Sequence, residues 1–106
     1  MGMSIVSEDG RFEWDTEKAF VNLKKHGLAF DEILPLFDDP NMIELYDDGH
    51  SIGKEYRNIG IGMLQGVLVL YVCYTDRNDR VRIISARKAR PREEERYYEQ
   101  FKTTNA

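Results

Sequence analysis

The stretch "GVLVLYVCYT", residues 66–75, constrains this chain more than any other feature. Its β-branched and aromatic residues suit an extended backbone, and apolar side chains fill both alternating faces. A strand of that kind belongs in the middle of a sheet, with a covering layer on each side. It falls well short of the roughly twenty apolar residues that a membrane-spanning helix requires.

Its neighbours in sequence read as further antiparallel strands. "KEYRNIGIG" alternates, with Glu55, Arg57, Ile59 and Ile61 sharing one face. "GIGMLQG" reads as a hairpin connection, and "DRNDR" as a second turn leading into "RVRIISAR". Upstream, "RFEWD" and "NMIELYDD" give two more short strands, and "DDGHSIG" reads as an exposed loop. Asp15 is placed to cap a helix over "TEKAFVNLKKHG", with Ala19, Leu23 and Phe20 as its apolar stripe and Gly27 as its stop. A second helix is expected over "DEILPLFDD", where Pro35 removes one backbone donor. Pro91 and the following glutamates open a terminal helix that runs to about Phe101. The order β-α-α-β-β-β-β-α predicts an α+β fold: a twisted, mostly antiparallel sheet of about five strands, two N-terminal helices and one C-terminal helix.

With 106 residues this is one domain, expected over 10–102 behind a flexible leader at 1–9. The N-terminus lacks a charged segment followed by an apolar one, so a cytoplasmic location is expected. The single cysteine, Cys73, lies inside the apolar strand and reads as a small packed hydrophobe. The net charge of −4 is unevenly spread: residues 1–53 hold four Lys/Arg against twelve Asp/Glu, and residues 54–106 hold eleven against seven. Such a split suits a polarised surface that meets a polyanion on one side.

Several site types are excluded by their missing signatures. His26 and His50, the two histidines, share no zinc-like spacing with Cys73, and neither a phosphate-binding loop nor a dinucleotide fingerprint is present. What remains is a cluster of cations. Strict alternation puts Arg80, Arg82, Ile84 and Ala86 on one face of the last strand, and Val81, Ile83, Ser85 and Arg87 on the other. Glu55 and Arg57 form the polar end of a strand face whose other end is apolar, the pattern of a site at the rim of a sheet. Arginine suits such a site, because its planar fork binds phosphate oxygens bidentately and stays charged. Singly, each residue also has a structural reading: Arg57 and Arg82 as strand-end cations, His26 as a helix-end cation, Tyr97 and Tyr98 as packing residues, Glu93 to Glu95 as a solvated first turn.

In combination the segments "FEWDTEKAFVNLKKHGLAFDEI…FDDP", "KEYRNIGIG" and "RVRIISARKARPREEERYY" closely resemble the BrnT family of toxins from type II toxin–antitoxin systems, over about residues 11–99. The resemblance implies a fold like that of RelE-type ribonucleases. It implies a metal-independent endoribonuclease, without cofactor, acting on RNA and neutralised by a BrnA-like antitoxin. Operator DNA would be met only through that antitoxin, with the complex repressing its own operon. No membrane is involved, and a homodimer within a toxin–antitoxin heterotetramer is compatible with it. Cleavage without a metal needs a base for the 2′-hydroxyl, an acid for the leaving 5′-oxygen and cations for the charge on phosphorus. The candidates implied are His26, Glu55 and Tyr97 as proton carriers, with base and acid left unassigned, and Arg57 and Arg82 as charge-stabilising cations. Lys25, Arg80 and Arg87 are candidates for phosphate binding, although strand parity sets Arg82 and Arg87 on opposite faces unless the strand bends. The alternative reading is a catalytically inactive module that holds the antitoxin and co-represses.

Overall fold

The structure, a computed structural model, describes residues 2–52 and 55–102, apart from the side chains of 48–52 and 55. Its elements follow in the order β1 (Ser4–Val6), β2 (Phe12–Asp15), α1 (Thr16–His26), α2 (Phe30–Ile33), a 3-10 helix (Leu34–Asp38), β3 (Ile43–Ile52), β4 (Glu55–Leu64), β5 (Leu68–Arg77), β6 (Arg80–Lys88) and α3 (Pro91–Glu99). The strands form one sheet in the order β1-β2-β6-β5-β4-β3, with only β2 and β6 parallel. This is the expected α+β architecture with six strands rather than about five. The added strand, β1, lies inside the expected leader and pairs with β2.

β5 has a layer on each side, as its two apolar faces require. Leu70, Val72 and Tyr74 enter a large core with Phe12, Trp14, Phe30, Ile33, Leu36, Ile83 and Ala86, roofed by α1, α2 and the 3-10 helix. Val69 enters a smaller core with Ile59, Ile61, Ala89 and Tyr97 beneath α3. Short turns with left-handed residues join the meander: three residues including Gln65-Gly66 between β4 and β5, and Asn78-Asp79 between β5 and β6. Their positive φ angles match the strand twist in tight hairpins. β4 therefore runs through Leu64, and most of the segment expected as a hairpin connection is strand. Likewise "DDGHSIG" up to Ile52 belongs to β3. Gly60 and Gly62 let the roof approach closely: a Cβ at either would meet Met42 at 3.1 Å.

α1 starts and stops where its sequence indicates. The Asp15 carboxylate accepts the Lys18 N–H at 2.9 Å, and Gly27 closes the helix at φ 70°. Its buried side differs from the expected stripe. Ala19 packs on the core, Asn22 is buried, and Phe20 and Leu23 are exposed. The cause is a backbone requirement. β2 pairs with β6 only as far as Ile83, so the next part of the β6 edge lacks a strand partner on that side. Asn22 supplies the missing bonds, donating to the Ala86 carbonyl at 2.9 Å and accepting the Ala86 N–H at 3.0 Å. A leucine there would bury two unsatisfied backbone groups. The second helix is only one turn of α-helix before it tightens to 3-10 at Pro35, whose missing N–H falls at the start of that segment.

Candidate active site

The two faces of β6 do not alternate strictly. Cys73 pairs with Ser85 but Tyr74 pairs with Ile83, so Ile84 has no partner and forms a β-bulge. One inserted residue resets the parity. Val81, Ile83 and Ala86 all reach the large core, while Arg80, Arg82, Ser85 and Arg87 share the opposite face. The expectation that Arg82 and Arg87 lie on opposite sides is therefore corrected, and the bulge is the reason. A bulge leaves no mark on hydrophobic alternation beyond the doubled isoleucine in "RIIS".

On this face α3 covers one end of β4 and β5, and the other end is polar. A single row crosses the sheet there. Asp47 pairs with Arg57, Arg57 lies one step beyond the Asn58–Tyr74 pair and so beside Thr75, Thr75 pairs with Arg82, and Arg82 pairs with Glu13. Arg57 and Arg82 are thus two strands apart, about 10 Å between backbones. Both side chains project from the same face of the sheet, and Glu13 and Ser4 draw the Arg82 guanidinium toward β2 and β1. Thr75 is buried and donates its hydroxyl to the Tyr56 carbonyl at 2.6 Å, fixing the middle of the row.

Each of two arginines is oriented by a carboxylate. Arg82 bonds to Glu13, itself 7% exposed, and reaches the Ser4 hydroxyl at 3.4 Å. Arg87 forms a bidentate pair with Glu93 at 2.8 and 2.9 Å, and its guanidinium lies 4.0 Å from the centre of the Tyr71 ring. The fork-to-fork bond holds the Glu93 carboxyl below its usual range and raises Arg87 further. Arg80 is tied by Nε to the Gly10 carbonyl at 3.1 Å. Between these cations sits Cys73. Burial raises its thiol pKa, outweighing a hydrogen bond with Ser85 and the charges of Arg57 and Arg87 that draw it down. Both arginines therefore act on one point of the face, and the thiol stays protonated rather than nucleophilic.

The other candidates are distributed as follows. Lys25 and His26 are exposed at the end of α1, on an open cavity of about 390 Å³ that also includes Ser85. Glu55 begins β4, and its side chain is outside the described residues. Tyr97 is not brought to the arginine row. It is 3% exposed in the small core and donates its hydroxyl to Asp39 at 2.6 Å. Burial and that carboxylate push its pKa far above the ordinary phenol range. Burial raises Asp39, but the Tyr97 hydroxyl and the N–H groups of Met63 and Asn41 more than reverse this, so its pKa is lowered. The pair pins α3 to the sheet. Among the described residues no three His, Cys, Asp or Glu side chains gather as metal ligands, and no helix is long and apolar enough to cross a membrane.

Sequence reading missed Glu13, Glu93 and Asn22. Glu13 had a signal, since a carboxylate flanked by buried Phe12 and Trp14 on a strand lies on the opposite face. Glu93 had none that separates it from its neighbours Glu94 and Glu95.

Residues 14–93 match the family model described as "ribonuclease toxin, BrnT, of type II toxin-antitoxin system". No curated protein matches the chain in sequence. Among solved structures, the crystal structure of the Brucella abortus ribonuclease toxin BrnT is similar in fold, with a TM-score of 0.57 and 24% identity. The similarity covers 73% of this chain and 92% of that one. The match to the family model takes in α1, the arginine row, the bulge and Glu93, and the chain belongs to the BrnT family of ribonuclease toxins of type II toxin–antitoxin systems.

Proposed function

We propose that this protein is an endoribonuclease that cleaves RNA without a metal, with guanidinium groups supplying the positive charge. The observation that carries the reading is the row Arg57–Thr75–Arg82, joined on the same face by Arg87 through the bulge at Ile84. In this reaction a base takes the proton of the 2′-hydroxyl, and O2′ attacks phosphorus. The P–O5′ bond then breaks, and an acid returns a proton to the departing O5′. The products are a 2′,3′-cyclic phosphate and a 5′-hydroxyl. Negative charge on the non-bridging oxygens peaks in the transition state, where fixed donors act most strongly. Arg57 and Arg82 fill that role, Arg82 kept rigid by Glu13. Arg87, Arg80 and Lys25 bind flanking phosphates. His26 and Glu55 are the proton carriers. Tyr97 is a positioning residue that acts through the seat of α3.

The partner in this reading is a BrnA-like antitoxin that covers the toxin and represses the operon through its own DNA-binding part. The test is purified protein with RNA in EDTA. Cleavage with cyclic-phosphate ends is expected, and Arg82→Ala should lower the rate by about 10²–10³, the effect of removing one positioned oxyanion donor. Intact RNA across varied substrates would overturn the reading.

One observation favours a second reading, an antitoxin-binding module without catalysis: Arg82 and Arg87 are each already paired with a carboxylate. It predicts no growth arrest on expression in bacteria. Arrest that Arg57→Ala or Arg82→Ala reverses would exclude it.

A further inference from the structure

The cavity beside the arginine row has no role in the chemistry above beyond holding Lys25 and His26 on its rim. It opens where β2 gives way to α1. Val21 and Lys25 line it from the helix, Asp15 from the end of β2, and Ile84 and Ser85 from β6. Ile84, the bulge residue with no partner in the ladder, lies among its lining groups. Ser85 joins the cavity to the arginine face, since it pairs with Cys73 and shares the face of Arg82 and Arg87. Three steps along the strand separate Ser85 from Arg82, at most about 10 Å. A nucleotide whose phosphate rests on Arg82 therefore has this cavity within reach of its base.

The lining suits that occupant. Apolar Val21 and Ile84 can contact the π-face of a planar ring, and the Asp15 carboxylate and Ser85 hydroxyl can meet the donors and acceptors along its edge. RNA-binding proteins read splayed single-stranded bases by contacts to the ring face together with hydrogen bonds to the ring edge, and here aliphatic side chains would supply the first. A volume of about 390 Å³ is within the range of small-ligand sites and holds one base with water to spare.

We propose that the cavity between α1 and the β6 bulge is a nucleobase subsite, which seats one base beside the scissile linkage and gives the enzyme its base preference. This rests on the reading that RNA is the substrate. Its test is separable from that reading. Dissociation constants are measured for 2′-O-methyl trinucleotides, which cannot be cleaved, that differ in one base at a time. Wild-type protein should discriminate between bases at one position by tenfold or more. Val21→Trp, a change at a half-exposed helix position, should fill the cavity and reduce that discrimination to threefold or less. Val21→Lys serves as a second variant should the indole disturb folding. Arg82→Ala should weaken all the oligonucleotides alike and keep the discrimination.

Discrimination that survives both Val21 variants would overturn the subsite. So would loss of antitoxin binding in those variants with base preference intact, which would mark the cavity as a partner's anchor. Cleavage by a wild-type protein without base preference would overturn the subsite and leave the ribonuclease standing. Base-selective binding without cleavage would do the reverse.

Discussion

The two faces of one sheet are built on opposite principles. On the face under α1 and α2, β5 and β6 present Leu70, Val72, Tyr74, Ile83 and Ala86 to a roof of Phe30, Ile33 and Leu36, and several of these side chains are fully buried. On the other, α3 covers only the half around Ile61 and Val69, and the remaining half carries cations with carboxylate partners. The first face owes its stability to area removed from water, at roughly 25 cal/mol per Å². The second cannot, because a charge that leaves water costs more than its partner returns unless hydrogen bonds complete it. What the polar face gains instead is fixed geometry. Glu13 and Glu93 hold two guanidinium groups in place, and in the reaction proposed above such fixed donors leave less reorganisation when negative charge develops. A large apolar face carries the folding, and a partly roofed polar one carries the candidate site, within 106 residues.

That division is open to attack from each side. Leu70→Ala, in the fully buried core, should lower stability by about 2–5 kcal/mol, read from urea or thermal unfolding, while RNA cleavage by the folded fraction persists. A parallel loss of cleavage per folded molecule would mean the faces are not separable. Glu13→Gln attacks the other side. It removes the charge that orients Arg82 and keeps the shape, so cleavage should fall by more than tenfold, and leaving Arg82 without its counter-charge should cost at most about 3–5 kcal/mol. If activity instead rises, Glu13 holds Arg82 back and the pair is inhibitory.

Tyr97→Phe tests the pin between α3 and the sheet. It takes one donor from Asp39 and should cost about 1–2 kcal/mol. The Asp39 pKa should move upward in the variant, seen by carboxyl-carbon NMR titration. The pH dependence follows from the depressed carboxylates, of which Asp39 and Glu93 are partly buried. Asp39 and Glu93 both lie below their ordinary values of 3.8 and 4.5. Their contribution is complete above those values and is lost as pH falls through the lower folded ones, where the native state must take up protons it binds weakly. Wild-type stability should therefore decline in acid below about pH 4.5. Glu93→Gln should flatten part of that decline. An unchanged acid limb would show that solvent screens the Arg87–Glu93 pair.

How far the sequence carried this reading differs between the same two faces. β5 announced its central place through apolar residues on both sides, and Asp15 and Gly27 marked the ends of α1 by local chemistry that neighbours do not override. The arginines were visible as residue types, but their common face was not. It depends on one extra residue at Ile84, and a bulge is fixed by pairing across strands rather than by the strand's own pattern. Glu13 and Glu93 acquire their roles from Arg82 and Arg87, one brought alongside by strand pairing and the other by the turn into α3. The site was thus readable as a composition and hidden as a geometry. β1 was missed because three exposed residues on an edge give no burial signal.

The smallest expected effect lies where pattern and structure part most plainly. Helical spacing assigned Phe20 and Leu23 to the buried stripe of α1, yet they are 59% and 47% exposed and Asn22 is buried. If exposure is the better guide, Phe20→Ser changes stability by no more than about 0.5 kcal/mol, since surface substitutions away from caps and cores do little. Asn22→Leu, which the hydrophobic pattern would recommend, should instead cost more, because the N–H and carbonyl of Ala86 lose their partners at the point where β2 ends. Both are read from the same denaturation series. A destabilising Phe20→Ser beside a neutral Asn22→Leu would mean that α1 sits rotated in solution, with the apolar stripe against the sheet. The β6 edge at Ala86 would then need another partner, and the cavity at Val21 would close.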